Sequence, residues 1–459
     1  MVLHPLLILL IGLVTVVGMI IVLRMNAFIA LITAAIFVSL LSPGPVAEKI
    51  ERVARAFGNT AAGIGIVIAM AAVIGKCLMD SGAADRIVRS FLKILGEKRA
   101  SVALMGSGFV LSVPVFFDTV FYLLVPLSRS LWRRTRKNYI LYVTAIGAGA
   151  AITHTLVPPT PGPLVMADTL GIDIGWMIMI GTLIGLPTAM VGLLVCRVMN
   201  RLVDIPMRPY SGEPEPEPLE DDQLPALWVS LLPVILPVIL ISANTITKML
   251  ADRGQSDLVS RAADVTAVLG NPNLALLLSA AIAMLTLVLQ RGLTLKELAQ
   301  TTETALMSGG VIILITAAGG AFGAMLRESG VENSIKQMAG SDGQSMGLLV
   351  LLLGFGVASV MKVAQGSGTV SMITTSAMMA AMGVSSSMLG CDLVYLACAI
   401  GAGSLAGAWM NDSGFWIFAR MSGLTEVEAL KTWSILLAIL GVTALGFTLL
   451  AAWLMPLVW

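Results

Sequence analysis

Thr153-His154-Thr155-Leu156-Val157-Pro158-Pro159-Thr160-Pro161-Gly162-Pro163 sets four prolines, a glycine and the only internal histidine inside an otherwise apolar region. Proline has no N–H and clashes with the preceding turn, so no continuous helix passes through this run. Broken backbone at membrane depth is tolerated only where it is buried in protein or lines a watery cavity. The stretch therefore reads as a binding site held by the ends of two half-helices.

The surrounding chain is membrane-like. It has 459 residues, 57% hydrophobic and 12% charged, against roughly a quarter charged in soluble domains. A net charge of +1 argues against a nucleic-acid partner. Cys77, Cys196, Cys391 and Cys398 fall in apolar segments without metal-ligand spacing, so no metal or other cofactor is expected. The first apolar segment lacks a basic n-region and reads as a span rather than a cleaved signal.

Apolar runs place spans at 5–23, 25–42, 59–80, 139–168 and 174–198, then at 225–247, 272–290, 305–327, 391–418 and 431–456. Residues 201–224 form an acidic, proline-punctuated linker expected in the cytoplasm. Segments 100–131 and 345–381 are too long for one crossing. A helix of about 31 residues would run roughly 46 Å against a bilayer core of about 30 Å. The first breaks at Ser112-Val113-Pro114-Val115-Phe116-Phe117-Asp118, and the second at Lys362-Val363-Ala364-Gln365-Gly366-Ser367-Gly368. Arg86, Arg89, Lys93, Lys98 and Arg99 precede the first. Arg129, Arg133, Arg134, Arg136 and Lys137 close it. Basic flanks stay cytoplasmic, so both ends lie on one side and the segment is a re-entrant hairpin.

Two motifs recur. Gly75-Lys76-Cys77-Leu78-Met79-Asp80-Ser81-Gly82 returns as Gly323-Ala324-Met325-Leu326-Arg327-Glu328-Ser329-Gly330. Ala145-Ile146-Gly147-Ala148-Gly149 returns as Ala399-Ile400-Gly401-Ala402-Gly403. The expected fold is thus an all-α polytopic membrane protein of two inverted repeats, 1–200 and 225–459. Each has five transmembrane spans plus one hairpin, an odd number of crossings that inverts one repeat against the other. Such repeats with broken helices describe secondary transporters.

The Gly75–Gly82 run, Val113 through Asp118, the proline run and Asn411-Asp412-Ser413-Gly414-Phe415-Trp416 resemble the GntP family of gluconate permeases. Glu428-Ala429-Leu430-Lys431-Thr432-Trp433 looks familial as well. The resemblance implies a multi-pass symporter of the bacterial inner membrane, usually a homodimer, that imports gluconate or related hydroxy acids with protons. It departs at Asp118, where the family usually has Glu, and at Thr160, where it usually has His. Glycerate, lactate-like acids, D-serine and sodium-coupled carboxylate symport are the alternatives.

Four breaks should converge on the substrate: the two hairpin tips and the breaks in the spans that follow them. Helix N-termini there present free N–H groups and positive dipole ends, which suits a carboxylate. The candidate substrate-binding residues of the first half are Pro114, Phe116, Phe117, Asp118, Thr119, Thr153, His154, Thr155, Pro159, Thr160 and Gly162. Those of the second half are Gln365, Gly366, Ser367, Gly368, Thr369, Asn411, Asp412, Ser413 and Gly414. The hydroxyls also suit back-bonding to helix carbonyls. His154 exchanges protons near physiological pH and is the first candidate for proton coupling. Asp118 and Asp412 are the others, because an intramembrane carboxylate is costly and usually functional. Asp412 equally suits an N-cap. Lys362 either attracts the anion or pairs with a carboxylate. A single internal histidine without H-E-x-x-H argues against an intramembrane hydrolase. Closed inverted hairpins and the family resemblance argue against a passive channel, and a membrane scaffold would not need two matched broken sites.

Overall fold

Helices account for all the regular secondary structure among the described residues of the computed structural model. It describes residues 4–23, 25–203, 205, 207–208, 223–252, 257–330, 346–410 and 412–457. The first half runs α1 Pro5–Val17, α2 Ala27–Leu41, α3 Lys49–Asp80, α4 Ala83–Leu95, α5 Ala100–Leu111, α6 Phe117–Thr135, α7 Tyr139–Leu156, α8 Pro161–Leu170 and α9 Ile174–Leu202. The second runs α10 Leu227–Asp252, α11 Asp257–Leu269, α12 Pro272–Arg291, α13 Leu295–Glu328, α14 Met346–Gln365, α15 Gly368–Ala381, α16 Leu393–Leu405, α17 Ser413–Ser422 and α18 Ile435–Leu454. Among the described residues, 8 helices are long and apolar enough to cross a membrane.

The segment 139–168 is α7 and α8 with a break between them, and 391–418 is α16 and α17, the latter reaching Ser422. Each of the two long segments, 100–131 and 345–381, is a helix, a short turn and a second helix. The spans expected at 59–80 and 305–327 each begin about ten residues earlier, at Lys49 and Leu295. Hydropathy misses these first turns because they are polar. Lys49, Glu51, Arg52 and Arg55 therefore sit on α3. The helices α4 and α11 were not expected as elements. The part of the acidic linker at 209–222, and the first residue of the 345–381 segment, lie outside the described residues. Arg208, at the linker's start, makes a two-pronged contact with Glu428, at 2.6 and 2.7 Å.

Both recurring motifs do physical work. Gly75–Gly82 and Gly323–Gly330 end α3 and α13 in the same way. Ser81 and Ser329 return their N–H groups to Cys77 and Met325 carbonyls, and their hydroxyls to Leu78 and Leu326. Gly82 and Gly330 then turn the chain at φ +77° and +83°, a conformation that favours glycine. The Ala-Ile-Gly-Ala-Gly motif gives close packing. Gly149 of α7 lies on the backbone of α5 at Met105 and Phe109. Gly403 of α16 lies on the backbone of α14 at Phe355.

Other contacts are matched across the halves. The pairs α5–α7, α7–α9 and α2–α13 are paralleled by α14–α16, α16–α18 and α12–α3, while α3 and α13 pack on each other. Two arginines tie α3 to its neighbours α12 and α13. Arg291, the last residue of α12, donates to the Asp80 carbonyl at 2.8 Å, and Arg52 of α3 sits 3.0 Å from Glu328 of α13. The Ala/Gly-rich α7 and α16 are buried along almost their whole length. Each leads straight into its break.

Candidate functional site

The four breaks meet at one cavity of about 410 Å³. The start of α6 contributes Phe116, Phe117 and Thr119, and the start of α8 contributes Pro161. The start of α15 contributes Ser367, Gly368 and Thr369, and the start of α17 contributes Asp412, Ser413 and Gly414. Four helix N-termini are thereby directed at one space, each bringing the positive end of its helix dipole, although α8 begins with Pro161 and Pro163, which carry no N–H. Ala151, His154 and Thr155 of α7 form another part of the wall, with Ser404 and Leu405 of α16. Ser308 and Ile312 of α13 line it as well.

The breaks are held open by specific bonds. Ser367 caps α15 by accepting from the Val370 N–H at 3.3 Å. Asp412 caps α17 by accepting from the Gly414 N–H at 3.0 Å. Its other carboxylate oxygen lies 2.8 Å from the Lys362 ammonium, which also donates to the Gly366 carbonyl at 2.8 Å. The two side chains are only 6% and 9% exposed. Lys362 is thus the charged group that joins the tip of one broken element to the break in the next.

Thr160 works in the opposite direction. Its hydroxyl donates to the carbonyls of His154 and Val157, at 3.0 and 2.8 Å, and so satisfies the acceptors that α7 leaves free where it stops. Thr155 back-bonds to Ala151 at 2.7 Å. The His154 ring meets Phe116 edge-on, with centroids 6.3 Å apart, and its Nδ1 has no hydrogen-bond partner among the described residues. The Thr153 hydroxyl is likewise buried and unpartnered among them.

Of the residues singled out from sequence, Phe116, Phe117, Thr119, His154, Thr155, Ser367, Gly368, Thr369, Asp412, Ser413 and Gly414 line the cavity. Pro114, Thr153, Pro159, Thr160, Gly162 and Gly366 do not. They shape the breaks behind the lining, Gly162 by letting α8 approach Met372 of α15. Asn411 lies outside the described residues, and only the backbone is described for Asp118 and Gln365.

Ser308, Ile312, Met372, Ser404 and Leu437 also line the cavity, and as ordinary apolar-helix residues they carry no local sequence signal. Trp433 had one, since it ends the late familial run. It lies on a π-helical turn, Leu430–Ser434, that interrupts the last span. Its ring stacks on Phe418 of α17 at 4.8 Å and packs on Phe117 of α6 at 5.1 Å, tying two of the half-helices together beside the cavity. Among the described residues no group of three or more His, Cys, Asp or Glu side chains is placed to hold a metal.

Comparison with known proteins agrees with this architecture. The GntP family permease model matches residues 4–454. A permease of Haemophilus influenzae described as uncharacterized is 33% identical over 427 residues, covering 90% of this chain and 85% of its own. A gluconate permease of Pseudomonas aeruginosa is 33% identical over 457 residues, covering 97% and 98%. Among solved structures, the YdaH transporter of Alcanivorax borkumensis shares the fold with a TM-score of 0.62 at 14% identity, over 99% of both chains. These relatives are permeases and transporters rather than enzymes. The chain is a multi-pass membrane protein and belongs to the GntP permease family.

Proposed function

We propose that the chain imports gluconate, or a closely related small hydroxy monocarboxylate, together with protons across the bacterial inner membrane. The observation that carries this reading is the convergence of four helix starts and the buried Lys362–Asp412 ion pair on a cavity of about 410 Å³. That is a size-limited site of the kind small-molecule pockets occupy, with helix N-termini and an ammonium that suit a carboxylate. The hydroxyls of Thr119, Ser308, Ser367, Thr369, Ser404 and Ser413 around it suit a polyhydroxylated chain. The gluconate permease of Pseudomonas aeruginosa among its relatives supports the same substrate. The matched packing of the two halves supports a pair of inverted repeats, 1–200 and 225–459, whose interface carries the site and whose relative movement gives alternating access. The homodimer implied by the family resemblance belongs to the same reading.

The test is uptake in cells stripped of their own permeases, across a panel of gluconate, glycerate, lactate and D-serine, with and without an uncoupler. Gluconate accumulation that collapses with the uncoupler is the expected result. Accumulation that follows a sodium gradient and ignores the uncoupler overturns proton coupling. A preference for another acid reassigns the substrate.

A further inference from the structure

We propose that the Lys362–Asp412 pair is an exchangeable ion pair that couples the two cargoes: a proton taken by Asp412 frees Lys362, and the substrate carboxylate takes the vacated place. The proposal deepens the transport reading above and rests on it.

The geometry is that of a pair poised at the substrate's own position. Both residues line the cavity, their charged atoms are 2.8 Å apart, and both side chains are more than nine-tenths buried. Among the described residues, His154 is the only other Asp, Glu, Lys, Arg or His lining it. The helices packed on the pair add little charge. α15 and α16 carry none of these residues. α6 carries Asp118 and Arg134, whose side chains are not described, and Arg129 and Arg133 near its far end. Arg420, the other charge on α17, lies over the Trp416 ring at 5.8 Å. Glu428, on the turn after α17, is engaged by Arg208.

Charge balance follows directly. The empty site holds one positive and one negative charge. A monocarboxylate entering alone leaves a net negative charge in a poorly solvated space. A proton entering alone leaves a net positive one. Either is costly, because a buried charge without a partner loses its hydration and gains nothing in return. Proton and anion together restore neutrality, with neutral Asp412 and the ammonium paired to the substrate. Only the empty and the doubly loaded sites are balanced, and only these are suited to crossing between the two faces.

No covalent bond changes. The proton moves from water to a carboxylate oxygen of Asp412 and returns to water on the other side. The Gly414 N–H keeps its acceptor throughout, since the carbonyl oxygen of a protonated carboxyl still accepts. Lys362 keeps its bond to the Gly366 carbonyl while it changes anionic partners.

The experiment uses purified protein in proteoliposomes with radiolabelled gluconate. Wild-type uptake should be driven by a pH gradient and be indifferent to an imposed membrane potential. Asp412→Asn retains an N-cap side chain. It should exchange gluconate across the bilayer at a rate that no longer varies with pH, and should lose pH-gradient-driven accumulation. Lys362→Met should raise the half-saturation concentration at least about tenfold, the loss expected for a charge-assisted bond. If Asp412→Asn does not fold, Asp412→Glu answers instead. It should still accumulate gluconate, with a displaced pH profile, and an unchanged profile overturns the proposal. So do accumulation by Asp412→Asn in a pH gradient, wild-type uptake driven by membrane potential alone, and unaltered half-saturation in Lys362→Met. Wild-type protein that moves no acid of the panel refutes the transport reading itself, whereas each of the other contrary results removes the switch alone.

Discussion

Adding one methyl group at Gly149 should damage the protein far more than the same change elsewhere on its helices. A Cβ built at Gly149 falls onto the Met105 carbonyl oxygen and stands 2.9 Å from the Phe109 nitrogen. Its counterpart at Gly403 falls onto the Phe355 carbonyl oxygen and stands 2.9 Å from the Ala358 Cβ. Ordinary contacts lie near 3.5–4.0 Å, so α7 must draw back from α5 by roughly 0.6 Å even to clear the less crowded neighbour. Most of the atoms met are backbone and cannot rotate aside. The cost should therefore reach the upper part of the overpacking range, about 1–3 kcal/mol. Transport should suffer too, because α5 and α7 lead to two of the four breaks around the cavity. The controls are Gly310→Ala and Gly446→Ala, both inside helices with nothing within 4 Å of the added carbon. There alanine should be neutral, or stabilising by up to about 1 kcal/mol, through backbone entropy. Thermal unfolding of detergent-solubilised protein, followed by the loss of its monodisperse chromatographic peak, ranks the four variants. Gly149→Ala and Gly403→Ala melting at or above the two controls would refute the close-packing account of the repeated motif.

Three further substitutions probe how the breaks are held. Thr160→Val removes the donor to the His154 and Val157 carbonyls at nearly constant volume and should cost about 1–3 kcal/mol, while Thr160→Ser should be close to neutral; a melt of both variants decides. Arg52→Met should lower stability by about 1.5–3 kcal/mol, because Arg52 donates to the Ser39 and Pro43 carbonyls at the end of α2 and reaches Glu328. Equal melting temperatures for Arg52→Met and wild type would show that this lacing contributes nothing. Gly162→Ala pushes against the flexible end of Met372, which lines the cavity, so it should weaken uptake of a six-carbon acid more than that of glycerate; an equal effect on both would count against Met372 as a wall of the site.

Much of the fold was legible because its decisive features are local. Proline runs act through backbone chemistry and segments too long for a bilayer through length alone, and neither needs knowledge of neighbours. Helix starts were misjudged at Lys49 and Leu295 because a polar first turn carries no hydropathy signal, although the Thr294–Glu297 capping box marks the second of them. The site was legible in its breaks and less so in its walls. Phe116, His154 and Asp412 announce themselves beside prolines or glycines, but Ser308 and Ser404 sit in unremarkable helical sequence and reach the cavity only through tertiary packing. Trp433 became informative once its π-helical turn and its contacts with Phe117 and Phe418 were in view.

The two halves share the geometry of their breaks while dividing the chemistry between them. Thr160 and Asp412 occupy the same structural place, the cap before the second half-helix. Thr160 reaches back to the carbonyls of the helix that has ended, using a neutral hydroxyl that places no charge at the site. Asp412 reaches forward to the N–H of the helix that begins and keeps one oxygen for Lys362. A second charged pair at the first break would have to be buried beside the first, at several kcal/mol for each desolvated ion. It would also give the site two ways of balancing its charge. Confining the ions to one half leaves a single balanced exchange, in which one proton and one carboxylate replace one internal ion pair. On that reasoning a cation introduced at Thr160, as in Thr160→Lys, should bind the anion without a proton. Its uptake should respond to membrane potential where wild-type uptake does not. A Thr160→Lys protein that folds, transports and remains indifferent to membrane potential would show that charge balance at the breaks does not set the coupling.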